Sequence, residues 1–218
     1  MIAAVANPQP IIFRFSGLLA EDGVSQLVEV LSDEYLRIHI HCGAETKLTE
    51  RDLIYVCILY GTENNPVTIN QTGCISELGE MVVLFTDDTV KLSGGFGIVV
   101  SVPFIDYEIL PKKQEEKNES NDEDIQGTVL SRARYGFGGW LYTKILTISN
   151  FATQDPQIAD SNLVIVIAEG GGIIYLNNSP ISFSCEDVFR LGKGDTYQLQ
   201  ALGDTLTCLM IGVTFPDL

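Results

Sequence analysis

Short apolar runs recur along most of the chain, and this pattern constrains the fold more than any other feature of the sequence. Val, Ile, Tyr and Phe dominate runs of five to eight residues, and turn sequences such as NNSP at 177–180 and GKGD at 192–195 separate them. No amphipathic helix pattern lies between the runs, and the one helix candidate, near 20–31, alternates well enough to be a strand. The sequence therefore predicts an all-β fold, a sandwich or barrel of antiparallel strands.

One segment interrupts this pattern almost at the midpoint of the 218-residue chain. Residues 111–127 read PKKQEEKNESNDEDIQG and contain one isoleucine but no other large apolar residue. Such a segment cannot bury enough apolar surface to offset the conformational entropy that ordering would cost. We therefore expect an N-terminal barrel at 1–110, an acidic disordered linker at 111–127 and a C-terminal barrel at 128–218.

The two sides of this linker resemble each other. Three pairs of blocks align, namely DLIYVCILYG at 52–61 with NLVIVIAEGG at 162–171, LFTDDTVKL at 84–92 with LGKGDTYQL at 191–199, and VVSVPF at 99–104 with MIGVTF at 210–215. The blocks occur in the same order, at offsets of 110, 107 and 111 residues. Three collinear matches indicate a duplicated unit of about 100 residues.

The charge of the chain excludes two classes of partner. The net charge is −16, with 13 Lys and Arg against 29 Asp and Glu, and no basic patch is visible. Such a body repels a phosphate backbone and an anionic membrane surface, so we expect no nucleic acid and no membrane as partner. The longest apolar runs, at 54–60 and 163–168, are far shorter than the ~20 residues that span a bilayer.

The N-terminus and the cysteines suggest a compartment. MIAAVANPQP has neither the basic part nor the long apolar part of a secretory signal. The five cysteines are an odd number without a CxxC pair, which favours free thiols in a reducing compartment over a disulfide framework. We therefore expect a cytoplasmic protein.

The second unit resembles the core of a cupin. In that family an apolar strand ends in a Leu-Glu-Gly-Glu-Gly-like turn, and a hairpin with further turns follows. Here AEGG at 168–171, EDVF at 186–189 and GKG at 192–194 stand at the successive turns, and the first unit matches the same frame through LYG at 59–61 and GEMV at 79–82. The resemblance covers 35–104 and 140–216 and implies two tandem cupin-like, jelly-roll barrels in one chain, a bicupin.

The cupin resemblance also implies where metal ligands would stand. The family holds its metal through an HxH pair, a Glu four or five residues on, and one later His. In the first unit this frame puts the Glu at Glu50, the two histidines near Gly43 and Glu45, and the later histidine at Val90. In the second unit the corresponding stretch, ATQDPQIADSN, has no histidine, and the later position is Tyr197. Neither unit keeps the ligand set, so we expect no metal and no other cofactor.

Both histidines of the chain, His39 and His41, fall one strand earlier, in YLRIHIHCG. Alternation puts one set of side chains, Leu36, Ile38 and Ile40, on the face opposite Arg37, His39 and His41. Because an apolar face turns inward, we expect the histidines on the polar face of a solvated or interface strand. Two histidines are too few ligands for zinc or iron unless a distant carboxylate completes the site.

These observations favour a non-catalytic bicupin that acts as a binding, scaffolding or assembly protein, through a protein partner or self-association. The sequence is also compatible with a small-molecule ligand inside one of the barrels. Tyr197 should then face this ligand, because a phenol donates a hydrogen bond without a metal. One alternative is a metal-independent sugar isomerase or epimerase, with His39 or His41 and a carboxylate as general base and Tyr197 as acid. Another is a viral jelly-roll capsid protein, because jelly rolls and cupins share strand order.

Overall fold

The structure is a computed structural model that describes residues 11–14, 26–32, 37–42, 45–47, 53–59, 67–69, 72–74, 80–84, 87, 89–92, 96–103, 108–110, 124–135 and 139–214. Throughout these ranges the backbone forms strands and turns, so the predicted all-β fold is confirmed. Within the same ranges, no helix has the length and apolar character needed to cross a membrane.

The chain order of the strands follows the short apolar runs of the sequence. Their bounds are β1 (Ile11–Arg14), β2 (Gln26–Ser32), β3 (Arg37–Cys42), β4 (Glu45–Lys47), β5 (Leu53–Leu59), β6 (Val67–Ile69), β7 (Thr72–Cys74), β8 (Glu80–Leu84), β9 (Thr89–Leu92), β10 (Phe96–Pro103), β11 (Glu108–Leu110), β12 (Ile125–Tyr135), β13 (Gly139–Ser149), β14 (Gln157–Ile158), β15 (Asn162–Glu169), β16 (Gly171–Leu176), β17 (Ser179–Ser184), β18 (Asp187–Leu191), β19 (Thr196–Ala201) and β20 (Thr205–Thr214).

These strands form four antiparallel sheets, two in each half of the chain. The first half has a five-stranded sheet in the order β2-β3-β10-β5-β8 and a four-stranded sheet in the order β4-β9-β6-β7. The second half has a seven-stranded sheet in the order β1-β18-β15-β20-β13-β12-β11 and a four-stranded sheet in the order β14-β19-β16-β17. Apart from β1 and β11 at its edges, the seven-stranded sheet repeats the order of the five-stranded sheet strand for strand.

A shared β-bulge fixes how the two halves correspond. Where β2 pairs with β3, the register shifts between Glu29 and Leu31, opposite His39 and Ile38. Where β12 pairs with β13, it shifts in the same way between Val129 and Ser131, opposite Lys144 and Thr143. A bulge is a local feature that a duplicated unit inherits with its register. The comparison makes Lys144 the counterpart of His39 and Leu146 the counterpart of His41.

The pairing also corrects one of the three block alignments. Leu84 pairs with Tyr55, and its counterpart Leu191 pairs with Leu163. The strands β5 and β15 therefore correspond at an offset of 108 (163 minus 55), not 110. The shift of two residues keeps every side chain on the same face, so the duplication itself stands.

The two sheets of the second half pack face to face. Leu199 of β19 and Ile174 of β16 are fully buried against Ile165 of β15 and Phe189 of β18. The Phe183 and Phe189 rings meet edge to face at a centroid distance of 5.7 Å. Alternate residues of both sheets fill the space between them, as expected for a sandwich.

The outer face of the seven-stranded sheet is buried as well. Eight of the residues that alternate with the inner set are at most 1% exposed, namely Leu141, Thr143, Val164, Val166, Val188, Leu209, Ile211 and Val213. Ile145, Thr147 and Arg190 on the same face are half-buried. Arg190 of β18 donates a hydrogen bond to the carbonyl of Val30 in β2 at 3.3 Å, and β8 lies beside β12. Because the duplication exchanges β2 with β12 and β8 with β18, these two contacts are equivalent. Both edge strands of the five-stranded sheet, β2 and β8, therefore lie beside the seven-stranded sheet.

Two strands connect the halves further. β1, at the N-terminal end of the described residues, pairs with β18 of the second half through Ile11 to Arg190 and Arg14 to Asp187. β11 pairs with β12. The acidic segment expected at 111–127 ends in strand structure, because 125–127 are the first residues of β12 and pair with β13. Its residues 111–123 lie outside the described ranges.

Candidate functional site

The interior of the second sandwich becomes polar toward the end where β13 begins. On the inward face of β13, Ile148 and Leu146 are 0% and 3% exposed, Lys144 and Tyr142 are half-buried, and Trp140 is 36% exposed. β13 pairs with β20 without a register shift, so these alternate residues share one face. We call the end of the sandwich that Trp140, Tyr142 and Lys144 line the mouth.

Two glycines leave space on the sheet for the bulky side chains of Tyr142 and Lys144 at the mouth; we call these positions glycine seats. The Tyr142 ring lies so close to Gly212 of β20 that a Cβ there would overlap it. The Lys144 side chain crosses Gly127 of β12, where a Cβ would stand 2.5 Å from Cε and 3.1 Å from Nζ. The glycines remove the side chains that would otherwise push Tyr142 and Lys144 off the sheet.

Tyr197 enters the same interior from the opposite sheet. It is 8% exposed and belongs to the apolar cluster between the sheets. Burial, and then the neighbouring Tyr142, Asp160 and Cys208, raise the pKa of the Tyr197 phenol. The phenol therefore stays protonated at neutral pH and is a hydrogen-bond donor.

Lys144 is an unpaired cation in an acidic protein. Its ammonium makes no hydrogen bond and no ion pair with the residues that the structure describes. Asp160, the carboxylate near Tyr197, is exposed and accepts a hydrogen bond from the Ser161 hydroxyl at 3.1 Å. The mouth therefore combines one cation, two phenols and an indole, with a carboxylate at its rim.

Comparison with known proteins identifies the fold. The sequence matches no protein-family model and no curated protein sequence. The structure is similar to a cupin 2 conserved barrel domain protein from Leptotrichia buccalis, with a TM-score of 0.59 and 14% identity over 96% of this chain and 98% of that chain. It is also similar to a salicylate 1,2-dioxygenase variant from Pseudoaminobacter salicylatoxidans in complex with gentisate, with a TM-score of 0.59 and 9% identity over 95% of this chain and 84% of that chain.

The chain has the cupin fold. The alignments extend over both halves, so the cupin resemblance seen in the sequence is confirmed at the level of the fold. At 9% and 14% identity, the neighbours say nothing of which residues act in this chain. Function has to be argued from the side chains themselves.

The residues of the second half do not fit a cupin metal site. Tyr197 is in β19 and pairs with Gln157 of β14 and Leu176 of β16, so its neighbours in the sheet offer no imidazole or carboxylate. Among the described residues, no three His, Cys, Asp or Glu side chains lie close enough together to hold a metal ion. No step of chemistry in the second half is therefore routed through a metal.

Of the four ligand positions that the cupin resemblance implies in the first half, the structure describes two. Glu45 lies in β4 opposite Lys91, and Val90 of β9 lies opposite Thr46. Val90 pairs with Ile69 as Tyr197 pairs with Leu176, so the register makes these two residues counterparts. Gly43 and Glu50, the remaining expected ligand positions, lie outside the described residues.

The two histidines lie in the middle of a sheet rather than at its edge. His39 pairs with Val99 of β10 and Glu29 of β2, and His41 pairs with Gly97 and Leu27. Arg37 is exposed and Ile38 is 0% exposed, as the alternation predicts.

The burial of Ile38 does not identify an inward face, however. Its counterpart Thr143 is 0% exposed on the outer face of the seven-stranded sheet. The counterparts of His39 and His41, Lys144 and Leu146, belong to the inward set of the second half. The alternation therefore separates the two faces of β3 without showing which of them faces the sandwich interior, and the placement of the histidines on a polar face stays a prediction.

The structure places the proposed acid and base in different sheets. Tyr197 lies between the seven-stranded and four-stranded sheets of the second half. β3, which carries His39 and His41, belongs to the five-stranded sheet, whose strand β2 accepts the hydrogen bond from Arg190 of the seven-stranded sheet. An acid and a base must both come within about 3 Å of one substrate. The pairing of Tyr197 with one of these histidines as acid and base would therefore have to join side chains from different sheets, and it stays a prediction.

A second titratable cluster surrounds the turn between β17 and β18. Burial, and then Glu186, Glu169 and Asp187, raise the pKa of the Cys185 thiol, although a backbone hydrogen bond at Glu186 opposes them. The thiol donates to the carbonyl of Ala168 at 3.2 Å. A protonated, hydrogen-bonded thiol is a poor nucleophile, so this cluster shapes the turn rather than a reaction.

The sequence singled out Tyr197 as a candidate but not the other residues of the mouth. The alternation of Trp140, Tyr142 and Lys144 in GWLYTKIL was visible, and it sets polar and aromatic residues on the face that continues into Leu146 and Ile148. The seats at Gly127 and Gly212 left no signal, because a strand glycine also marks bulges and weak strands.

Proposed function

We propose that the chain is a bicupin that binds or scaffolds and does not catalyse, with each half closing into a barrel. The single observation that carries this proposal is the burial of Tyr197 in the apolar cluster of the second half. The cupin resemblance expects the last metal ligand at that position. A phenol whose pKa is raised by burial cannot replace an imidazole as a ligand at neutral pH.

The packing of the second half supports a structural or binding role. Among the described residues, Ile148 and Leu146 are buried in its apolar interior, and Tyr142 and Lys144 stand toward the mouth. The buried Asp187 lies away from the mouth, at the start of β18. A cupin that positions a metal and a co-substrate needs open, polar space at the centre of the barrel, whereas this interior is packed. Any ligand of the second half therefore binds at the mouth.

The alternative is a metal-independent isomerase or epimerase that uses His39 or His41 with a nearby carboxylate as general base and Tyr197 as acid. These residues belong to different sheets, so a single substrate would have to reach both. The salicylate dioxygenase neighbour shows that the fold supports catalysis, at 9% identity. A viral capsid protein would assemble into closed shells of many copies. Light scattering of the purified protein would detect particles of that size.

The partner is expected to be a protein or a second copy of the chain in the cytoplasm. The net charge of −16 argues against nucleic acid and anionic membranes. Two copies of so acidic a chain approach each other more easily as salt screens their repulsion. Self-association should therefore increase with ionic strength, while a basic protein partner should be lost.

Elemental analysis of protein purified without a histidine tag tests the proposal. We expect no stoichiometric transition metal in the parent protein, and the same result for the variant H39A/H41A. About one equivalent of zinc, iron, nickel or manganese in the parent, lost in the variant, would overturn it, because two histidines would then belong to a complete ligand set. Folding of the variant is checked by its circular dichroism spectrum.

A further inference from the structure

We propose that the mouth of the second sandwich binds a small aromatic carboxylate, whose charge pairs with Lys144 and whose ring packs against Trp140 and Tyr142. This inference rests on the proposed binding function and names its ligand class. It is carried by an unpaired cation, by two glycine seats and by the aromatic lining of one face.

The cation is the first step. Lys144 has no hydrogen bond or ion pair with a described residue, although it is half-buried on the face that leads into the apolar core. A lysine is almost never fully buried unless it is paired, and the half-buried Lys144 is partly withdrawn from water without such a partner. In a chain with 29 acids and 13 bases, an inward lysine left without such a partner points to an external anion.

The seats are the second step. Gly127 allows the Lys144 chain to lie flat on β12, and Gly212 allows the Tyr142 ring to lie flat on β20. A ring that lies against the sheet loses less rotamer entropy when a ligand arrives. The Tyr142 ring is therefore positioned in advance of the ligand, and Gly127 gives the flexible end of Lys144 space to reach it.

The aromatic lining sets the ligand class. Trp140, Tyr142 and Tyr197 present rings and polar hydrogens at the same mouth, and rings pack best against a flat apolar body. The Tyr197 hydroxyl has no hydrogen bond to a described residue, so it is available to a carboxylate oxygen. The exposed Asp160 at the rim repels a second negative charge, which favours a monoanion over phosphate.

The test is titration of the full-length protein with benzoate, followed by calorimetry or by chemical shifts of the tryptophan indole. Benzamide serves as the neutral ligand of the same shape, and inorganic phosphate as the anion without a ring. K144M removes the charge at nearly constant length, and K193M removes an exposed lysine from a turn as the matched control. G127A is the second variant, because its Cβ displaces the Lys144 chain, and G203A, which meets nothing within 4 Å, is its control.

We expect saturable benzoate binding that weakens by about tenfold or more in K144M, because a hydrogen bond to a charged group is lost. Binding should also weaken in G127A, remain unchanged in K193M and G203A, and exceed the binding of benzamide and phosphate in the parent. Equal benzoate affinity in parent and K144M, absence of saturable benzoate binding, or tighter binding of phosphate would each overturn the proposal. None of these results alters the metal content, so failure here is distinguishable from failure of the non-catalytic assignment.

Discussion

The two sheets of the second half differ in how many of their faces are buried. β16 in the four-stranded sheet alternates between half-buried and buried residues, so one face packs and the other meets solvent. β15 in the seven-stranded sheet has six consecutive buried residues, 163–168. A strand buried on both faces reads as a continuous apolar run, whereas a strand buried on one face alternates.

This difference shows how the halves of a duplicated chain come to depend on each other. The four-stranded sheet completes its packing within the second half. The seven-stranded sheet also contacts the first half, because Arg190 donates a hydrogen bond to β2, β8 lies beside β12, and β1 extends its edge. The long apolar run at 163–168 is therefore the sequence signature of an interface between the halves as much as of a core.

The largest effect should come from a charge on the doubly buried sheet. Val166 is 1% exposed on the outer face of β15, so V166D buries an unpaired carboxylate and should destabilise the fold by about 4 kcal/mol or more. The matched variant I173D places the same group on the half-buried outer face of β16 and should cost about 1 to 2 kcal/mol. Urea unfolding measures both. Equal losses would mean that the outer face of the seven-stranded sheet is not covered.

Alkaline pH should weaken the doubly buried sheet next. Burial raises the pKa of the Cys208 thiol from its usual value near 9 to about 12. Below pH 9 the thiol is protonated in both states. Above it the unfolded chain loses the proton and the folded chain keeps it, so stability falls as pH rises toward about 12. The loss is about 1.4 kcal/mol per pH unit, or about 4 kcal/mol over the whole interval.

Urea unfolding at several pH values above and below 9 checks this slope in the parent, in C208A and in C185A. C208A should flatten the decline, because the buried thiol is gone. C185A should keep most of it, since Cys185 lies half-buried in a turn, and Tyr197, with a pKa also raised by burial, contributes in the same direction. An identical slope in parent and C208A would contradict the assignment.

A methyl group on the inner face should have a moderate effect. G212A places a Cβ against the Tyr142 ring, and the resulting overpacking should cost about 1 to 3 kcal/mol. G203A, where nothing lies within 4 Å, should change stability little. The double variant G212A/Y142A tests the cause, because removing the ring should make the extra methyl nearly neutral. Thermal unfolding with additive losses in the double variant would refute the contact.

The strands and turns within each half could be predicted from the sequence, because neighbouring residues determine them. The turn between β18 and β19 is an example. Asp195 accepts a hydrogen bond from the Gly192 amide at 2.8 Å and one from the Asn177 side chain at 3.0 Å. These bonds fix the turn, and the Asp-Thr pair of this turn was one of the clearest identities between the two halves.

The contacts between the two halves could not be predicted from local sequence patterns. Alternation in β3 shows that Arg37 and Ile38 differ, but not whether Ile38 faces a sandwich interior or the neighbouring sheet. The pairing of β1 with β18 joins residues more than 170 positions apart, and no local pattern specifies so distant a partner. The sequence did not single out Lys144 either, because a local pattern does not show whether a lysine finds an acidic partner elsewhere in the fold.

The smallest expected effect comes from cutting the chain between the halves. Trypsin should act first within 111–123, at Lys112, Lys113 or Lys117, because the composition of that segment offers little to bury. The fragments should nevertheless stay together, since β1 and β11 on one side of the cut pair with β18 and β12 on the other.

Size-exclusion chromatography of the nicked protein checks this expectation, with the same digest in urea as the control that separates the fragments. Co-elution in buffer and a nearly unchanged melting temperature would fit two halves that bury a common face. Separate elution in buffer would show that the outer face of the seven-stranded sheet does not need the first half. First cutting within 139–214 would mean instead that the second sandwich is less stable than its burial implies, because cleavage follows local opening of the backbone.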